Sequence, residues 1–223
     1  MTREPVKRLS PLAWVVVLFA AGLIGLVAYY FAFAGKQSEH LREWLMQNES
    51  WVVYLLPAIG LVTITLLRVR FFRGTEGTGI PQTIAALQFE DEGERQKLLS
   101  PKILFGKIIL TTLGLCSGAS MGREGPTVQA GACIMYYCKR ILHVPQHLAQ
   151  KGLIVAGGAA GIAAAFNAPV AGIVFSIEEI GRSFDKRNVS VLLSVVIVAC
   201  AVCVGFFGEY WFYGEVQLFE VTH

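Results

Sequence analysis

The residues best suited to chemistry lie at 116–126, which read CSGASMGREGP. Glycines let the backbone turn so that several N–H groups converge at the start of the apolar helix expected over 127–137. The helix dipole there also favours negative charge, so such a start is an anion site. Arg123, Glu124 and Gly125 stand at it, and Glu124 puts a carboxylate of the chain's own where a dissolved anion would sit. That combination describes a gate. A glutamate at a helix start is usually a first-turn charge that complements the dipole. Here the flanks are apolar for many residues, and an ionisable group at membrane depth is a functional candidate by default. Arg123 is either a counter-charge or a means of keeping the local field positive, and both readings fit.

Two further groups carry weaker signatures. In GTGIP at residues 77–81, Thr78 offers a hydroxyl beside the N–H groups of Gly79 and Ile80, donors that together replace part of an anion's hydration shell. Two glycines and a proline also mark an ordinary turn, so this stretch alone leaves both readings open. Glu178 and Glu179 close an apolar helix just before Arg182, Asp185, Lys186 and Arg187. In one reading both carboxylates are solvated at an interface, with Arg182 as a helical partner. In the other, one faces water and its neighbour, about 100° round the helix, turns inward and accepts a proton. That would be a proton entry.

Other chemistries are not supported. His143 and His147 have the spacing of a helical metal pair, but Pro145 lies between them and no third ligand is near. Cys116, Cys133, Cys138, Cys200 and Cys203 fall in or beside apolar runs without a zinc or redox pair, which suits buried free thiols. There is no phosphate-loop lysine, dinucleotide fingerprint or nucleophilic triad, so no enzyme activity, metal or cofactor is expected. With a net charge of +3 and basic residues in short clusters between apolar runs, nucleic-acid binding is given no weight.

The elements that must position these residues belong to a bilayer. The 223 residues are 54% hydrophobic and 16% charged, with 23 glycines, too apolar and glycine-rich for an ordinary soluble domain. Residues 11–34 form a retained spanning helix, 36–50 an interfacial loop with Trp44 and Trp51 near the headgroups, and 51–67 a second span. Basic residues before the first span (Arg3, Lys7, Arg8) and after the second (Arg68, Arg70, Arg73) put both ends on the cytoplasmic side. Next come a short helix over 83–87, a charged loop over 90–97, an apolar stretch over 103–115 broken by Lys107, and a helix over 153–165. The small residues of AGGAAGIAAA let neighbouring helices approach closely. A last span over 189–211 ends in an aromatic belt at Tyr210, Trp211, Phe212 and Tyr213. Breaks at 77–81, 118–126 and 167–169 interrupt helices at membrane depth, which is tolerated where freed backbone is buried in protein or lines an ion path.

Three stretches in this order, GTGIPQ at 77–82, GREGP at 122–126 and AAAFNAPVAGIVFSIEEI at 163–180, resemble the CLC family of chloride channels and chloride/proton antiporters. The resemblance implies an all-α fold of broken, tilted helices in two inverted halves. It also implies a homodimer with an anion pore in each subunit. Thr78 then corresponds to the family's anion-contacting serine, the amides of Arg123, Glu124 and Gly125 to the helix start that holds the outer ion, and Glu124 to the gating glutamate. Glu179 corresponds to the internal proton glutamate of the antiporters and Glu178 to its neighbouring acid. Threonine in place of serine keeps the hydroxyl and adds a methyl, leaving anion preference open, while Glu179 favours chloride-type exchange. The family's second half, with its GxFxP motif and pore tyrosine, is not found before His223. Residues 1–10 are therefore expected to be a cytoplasmic tail and 11–221 the first half of the membrane domain. The chain is expected to be a fragment or to pair with a separate second half, in a bacterial inner membrane. The implied activity is chloride/proton antiport, with a passive chloride channel and a non-transporting half-subunit as alternatives.

Overall fold

The computed structural model describes residues 10–48, 51–142, 148–180 and 189–207. Every regular element among them is helical, as expected. They are α1 (Pro11–Asn48), α2 (Val52–Phe71), α3 (Ile80–Gln88), α4 (Glu92–Leu98), α5 (Pro101–Cys116), α6 (Glu124–Leu142), α7 (Leu148–Phe166), α8 (Pro169–Phe175) and α9 (Val189–Phe207), with a π-type turn at Ser176–Ile180 prolonging α8. Four stretches of the described residues are long and apolar enough to cross a membrane: Pro11–Gln47, Tyr54–Phe71, Glu92–Cys116 and Val189–Phe206.

Their side chains explain why. On α1, Val17, Ala20, Ala21, Ile24 and Ala28 are buried, while Leu12, Val15, Phe19 and Leu23 on the outer face are just as apolar and exposed. A helix apolar all round suits lipid on one side and protein on the other. α9 repeats the pattern, burying Leu192, Val195, Val196 and Ala199 and exposing Ile197 and Phe206. α1 and α9 cross where a side chain on Gly25 would strike the Ala199 carbonyl. α6 and α7 form the most extensive helix pair. At their crossing a Cβ on either Gly131 or Gly157 would run into the other's carbonyl, the close approach foreseen from the small residues.

Several boundaries differ from the sequence reading. The interfacial loop over 36–50 is instead the continuation of α1 to Asn48, because Lys36 to Asn48 contains no proline and is rich in helix formers. The charged loop over 90–97 contains α4, whose start is capped by Asp91: its carboxylate accepts from the Glu94 N–H at 3.1 Å. α3 begins at Ile80 because Pro81 suits a first helical turn, and α7 begins before Leu153. The described part of the last span ends at Phe207. The aromatic belt at 210–213, the basic residues Arg3, Lys7 and Arg8, the pair His143 and His147, and the charges at 182–187 lie outside the described residues.

The breaks after α5 and α7 are built alike. At the first, Gly118 takes φ 76° and its N–H donates to Leu115 at 3.0 Å, while Ala119 N–H reaches Gly114 O at 3.0 Å. At the second, Asn167 takes φ 52°, its N–H donates to Ala164 O at 3.4 Å, and Ala168 N–H reaches Ala163 O at 3.0 Å. Both are reverse-turn caps that occupy carbonyls a stopped helix would leave bare. This closure is what permits a helix to end at membrane depth.

Candidate functional site

The first cradle is the loop into α3. Lys107, on α5 and only 4% exposed, points its ammonium at this loop and donates to the carbonyls of Gly77 at 2.6 Å, Thr75 at 3.0 Å and Glu76 at 3.5 Å. A buried ammonium is costly unless hydrogen-bonded, and these carbonyls satisfy it while fixing the loop. From inside α3, Gln82 folds back: its Oε1 accepts from the Gly79 N–H at 2.9 Å and its Nε2 donates to the Glu76 carbonyl at 2.5 Å. Gly79 is buried at φ 115°, a conformation glycine adopts without strain, and its own carbonyl takes both the Thr83 N–H at 3.0 Å and the Thr83 hydroxyl at 2.9 Å. Thr78 is exposed between these anchors, and Ile80 is half-buried.

The second cradle is the start of α6. The Arg123 carbonyl accepts from the Thr127 N–H at 3.1 Å and the Thr127 hydroxyl at 2.6 Å, so helical pairing begins there. The N–H groups of Glu124 and Gly125 precede that first bond, and Pro126 has none to offer. Glu124 is half-buried, and its carboxylate lies so close over Gly122 that a Cβ added there would meet Oε2. Arg123 is also half-buried, with Nη1 3.7 Å from where a Cβ on Gly35 of α1 would stand.

The two cradles touch. A Cβ on Gly125 would stand 2.5 Å from the Thr78 carbonyl, and one on Gly79 would stand 2.5 Å from the Gly125 carbonyl and 2.9 Å from Gln129 Cβ. Thr78, Gly79 and Gly125, 47 positions apart at their widest in numbering (125 − 78), therefore form one surface. The acidic pair sits in the π-type turn, where Glu178 is exposed and Glu179 half-buried. Ile180, 3% exposed, ties that turn to the cradles: its Cδ1 shares a point above Gly158 with Val128 of α6 and Thr83 of α3. Single-turn π elements recur at functional sites.

Lys107 and Gln82 carry the first cradle, yet the sequence reading singled out neither for a role. Lys107 had the signal of an ionisable residue inside an apolar run, which marks function by default. Gln82 had the signature of a side chain three residues past a helix cap. Gln129 Oε1 and Ser176 Oγ are buried without a hydrogen-bond partner among the described residues. Nothing in the local sequence distinguishes those two from satisfied polar residues.

Residues 60–222 match the family described as voltage gated chloride channel. The chain belongs to that family. Among curated CLC relatives, the "H(+)/Cl(-) exchange transporter ClcA" of Cronobacter sakazakii is 35% identical over 210 residues, which is 86% of this chain and 43% of the relative. ClcA of Vibrio cholerae (strain O395) is 34% identical over 201 residues, 85% of this chain and 42% of the relative. The crystal structure of a slow cyanobacterial Cl-/H+ antiporter matches with a TM-score of 0.79 at 27% identity, over 91% of this chain and 48% of that one. A eukaryotic CLC transporter shares the fold, with a TM-score of 0.69 at 22% identity over 93% of this chain and 40% of that one. This CLC chain thus spans about two fifths of the length of the curated relatives it matches. With its apolar helices, family membership makes it an integral membrane protein.

Proposed function

We propose that this chain takes part in CLC-type chloride/proton antiport, supplying anion contacts from Thr78, Ile80 and the amides of Arg123, Glu124 and Gly125, while Gly79, whose N–H is held by Gln82 Oε1 at 2.9 Å, shapes the loop. The observation that carries the reading is the junction of the two cradles at Gly79 and Gly125, with the carboxylate of Glu124 folded over the second of them. An ionised Glu124 competes with chloride for donors at the α6 start, and a protonated one loses that attraction, so proton uptake and anion entry are coupled at one place. Glu179 hands protons to Glu124 from the cytoplasmic side and Glu178 gathers them. The split in their exposure supports that division. The similarity to H(+)/Cl(-) exchange transporters and to a Cl-/H+ antiporter supports antiport over a passive channel.

The reach of the match favours a second element of the reading. Thr78 is exposed, and the relatives extend well beyond the matched region. The chain therefore works with complementary CLC sequence that covers the cradles, within a dimeric assembly of a bacterial inner membrane. The test is chloride efflux with external pH recorded from liposomes holding the purified chain, wild type against Glu124→Gln. Proton movement driven by a chloride gradient and abolished in the variant is the expected result for a complete antiporter. Chloride flux with no proton movement in the wild type would make it a channel. No flux from folded, inserted protein would assign the activity to a complex of which this chain is one part.

A further inference from the structure

α1 is 38 residues long, about 57 Å at the helical rise, against a hydrocarbon core of about 30 Å. Its uncharged run ends at Gly35, so the turns from Lys36 to Asn48 rise clear of the core on the side opposite the N-terminus. They do so beside the gate segment. Arg123 Nη1 lies 3.7 Å from where a Cβ on Gly35 would stand, and Arg42 Cδ lies 3.9 Å from where one on Gly118 would stand. Gly35, Glu39 and Arg42 follow one another at i, i+4 and i+7, which is one face of a helix. Both ends of that face are thus laid along residues 118–123, and Glu39 stands between them. Its side chain is exposed and within electrostatic range of the Arg123 guanidinium, whose partners also include Glu124 on its own segment and the Cys203 thiol of α9. The remaining charges of the extension are engaged on its other side: Lys36 and His40 line a cleft with Tyr29, Phe33 and Phe206, and Glu43 Oε2 lies 3.8 Å from His40 Nδ1.

We propose that Glu39 is a positioning residue of the gate: it shares the Arg123 guanidinium with Glu124 and so sets how firmly that guanidinium holds the gate's own carboxylate. This rests on the gating reading of Glu124 above. A guanidinium carries five donors in a planar fork and can serve two carboxylates at once. With Glu39 drawing on it from α1, an ionised Glu124 receives only part of its attraction and gives way to a proton more readily. The extension of α1 therefore acts on the gate without touching the anion.

The experiment is chloride binding to the purified full chain, measured across a range of pH for wild type, Glu39→Gln, Glu39→Asp and Glu43→Gln, with the thermal midpoint of each protein alongside. On the gating reading, chloride affinity rises in acid as Glu124 takes a proton and leaves the α6 amides. Without the Glu39 charge, Arg123 holds the ionised carboxylate more firmly and more acid is needed, so the rise moves to lower pH by about half a unit. Glu39→Asp keeps the charge on a shorter stem and restores most of the wild-type profile. Glu43→Gln removes the same charge from the same extension, but from the side that faces His40, and its profile stays with wild type. In an Arg123→Gln background, Glu39→Gln moves the profile clearly less, because the route runs through the guanidinium. An unmoved profile in Glu39→Gln, an equal shift in Glu43→Gln, or a shift of the same size without Arg123 overturns this proposal alone. Wild type that binds no chloride, or binds it equally at every pH, overturns the gating reading together with it.

Discussion

The two cradles are built from the same materials and held in opposite ways. Each is a glycine-rich turn into a helix whose first turn contains proline, Pro81 in α3 and Pro126 in α6. Around the first, Gln82 and Lys107 grip the carbonyls and one N–H from two directions. Around the second, the nearest side chain over the glycines is Glu124 itself, a flexible carboxylate resting on Gly122. One loop is fixed by side chains from two helices. The other leaves its own carboxylate room, as the gating role proposed for Glu124 requires.

The sharpest way to break the comparison is to put one methyl group in each loop. Gly79→Ala would set Cβ 2.5 Å from the Gly125 carbonyl and 2.9 Å from Gln129 Cβ, at a φ of 115° that L-residues rarely adopt. Backbone strain and overpacking add, so a loss of about 3 to 5 kcal/mol is expected. It should appear as failure to recover monodisperse protein or as a collapsed thermal midpoint in detergent. Gly122→Ala meets only the free end of Glu124. That variant should fold with a near-normal midpoint and show its effect on proton coupling in the liposome assay. Equal destabilisation by both substitutions would erase the distinction between a fixed and a mobile cradle.

That distinction was only partly legible in the sequence. The helical class, the apolar spans and the breaks follow from hydropathy and from glycine, asparagine and proline at fixed places, and the structure has all of them. The gathering of Thr78 with Gly125 is not a local property, since it depends on how α3 and α6 pack, and it was reached through resemblance to a family. Lys107 was visible as an interruption of an apolar run, but its targets lie 30 to 32 residues away in the chain. No periodicity reports such a contact. The helical identity of 36–48 was missed for a simpler reason: polar residues beyond the bilayer look like loop, although nothing in them stops a helix.

Lys107→Met gives a smaller effect and tests the fixed cradle directly. Methionine fills the same channel with a flexible apolar chain, leaving the carbonyls of Thr75, Glu76 and Gly77 without their ammonium. Unsatisfied carbonyls cost about 1–3 kcal/mol each when water cannot reach them, less here because Glu76 and Gly77 are exposed. The expected outcome is a lowered thermal midpoint together with chloride binding weakened by about tenfold, through loss of both loop order and a nearby positive charge. Unchanged binding would mean that the loop keeps its shape through Gln82 alone.

The mildest expected effect comes from Thr78, which separates what a fixed cradle offers from what holds it. Its side chain is exposed, so Thr78→Val, which has the same shape without the hydroxyl, should leave the thermal midpoint where it was. If that hydroxyl is a donor of the first cradle, its loss removes one hydrogen bond to an anion, and chloride binding should weaken by about five- to tenfold. Thr78→Ser restores the donor with a less restricted rotamer, so it should stay within about twofold of wild type. The order of the three proteins carries the test. Valine behaving like serine would show that the hydroxyl is not a ligand, and the donor would have to be sought among the amides of α6, the groups for which Glu124 is proposed to compete.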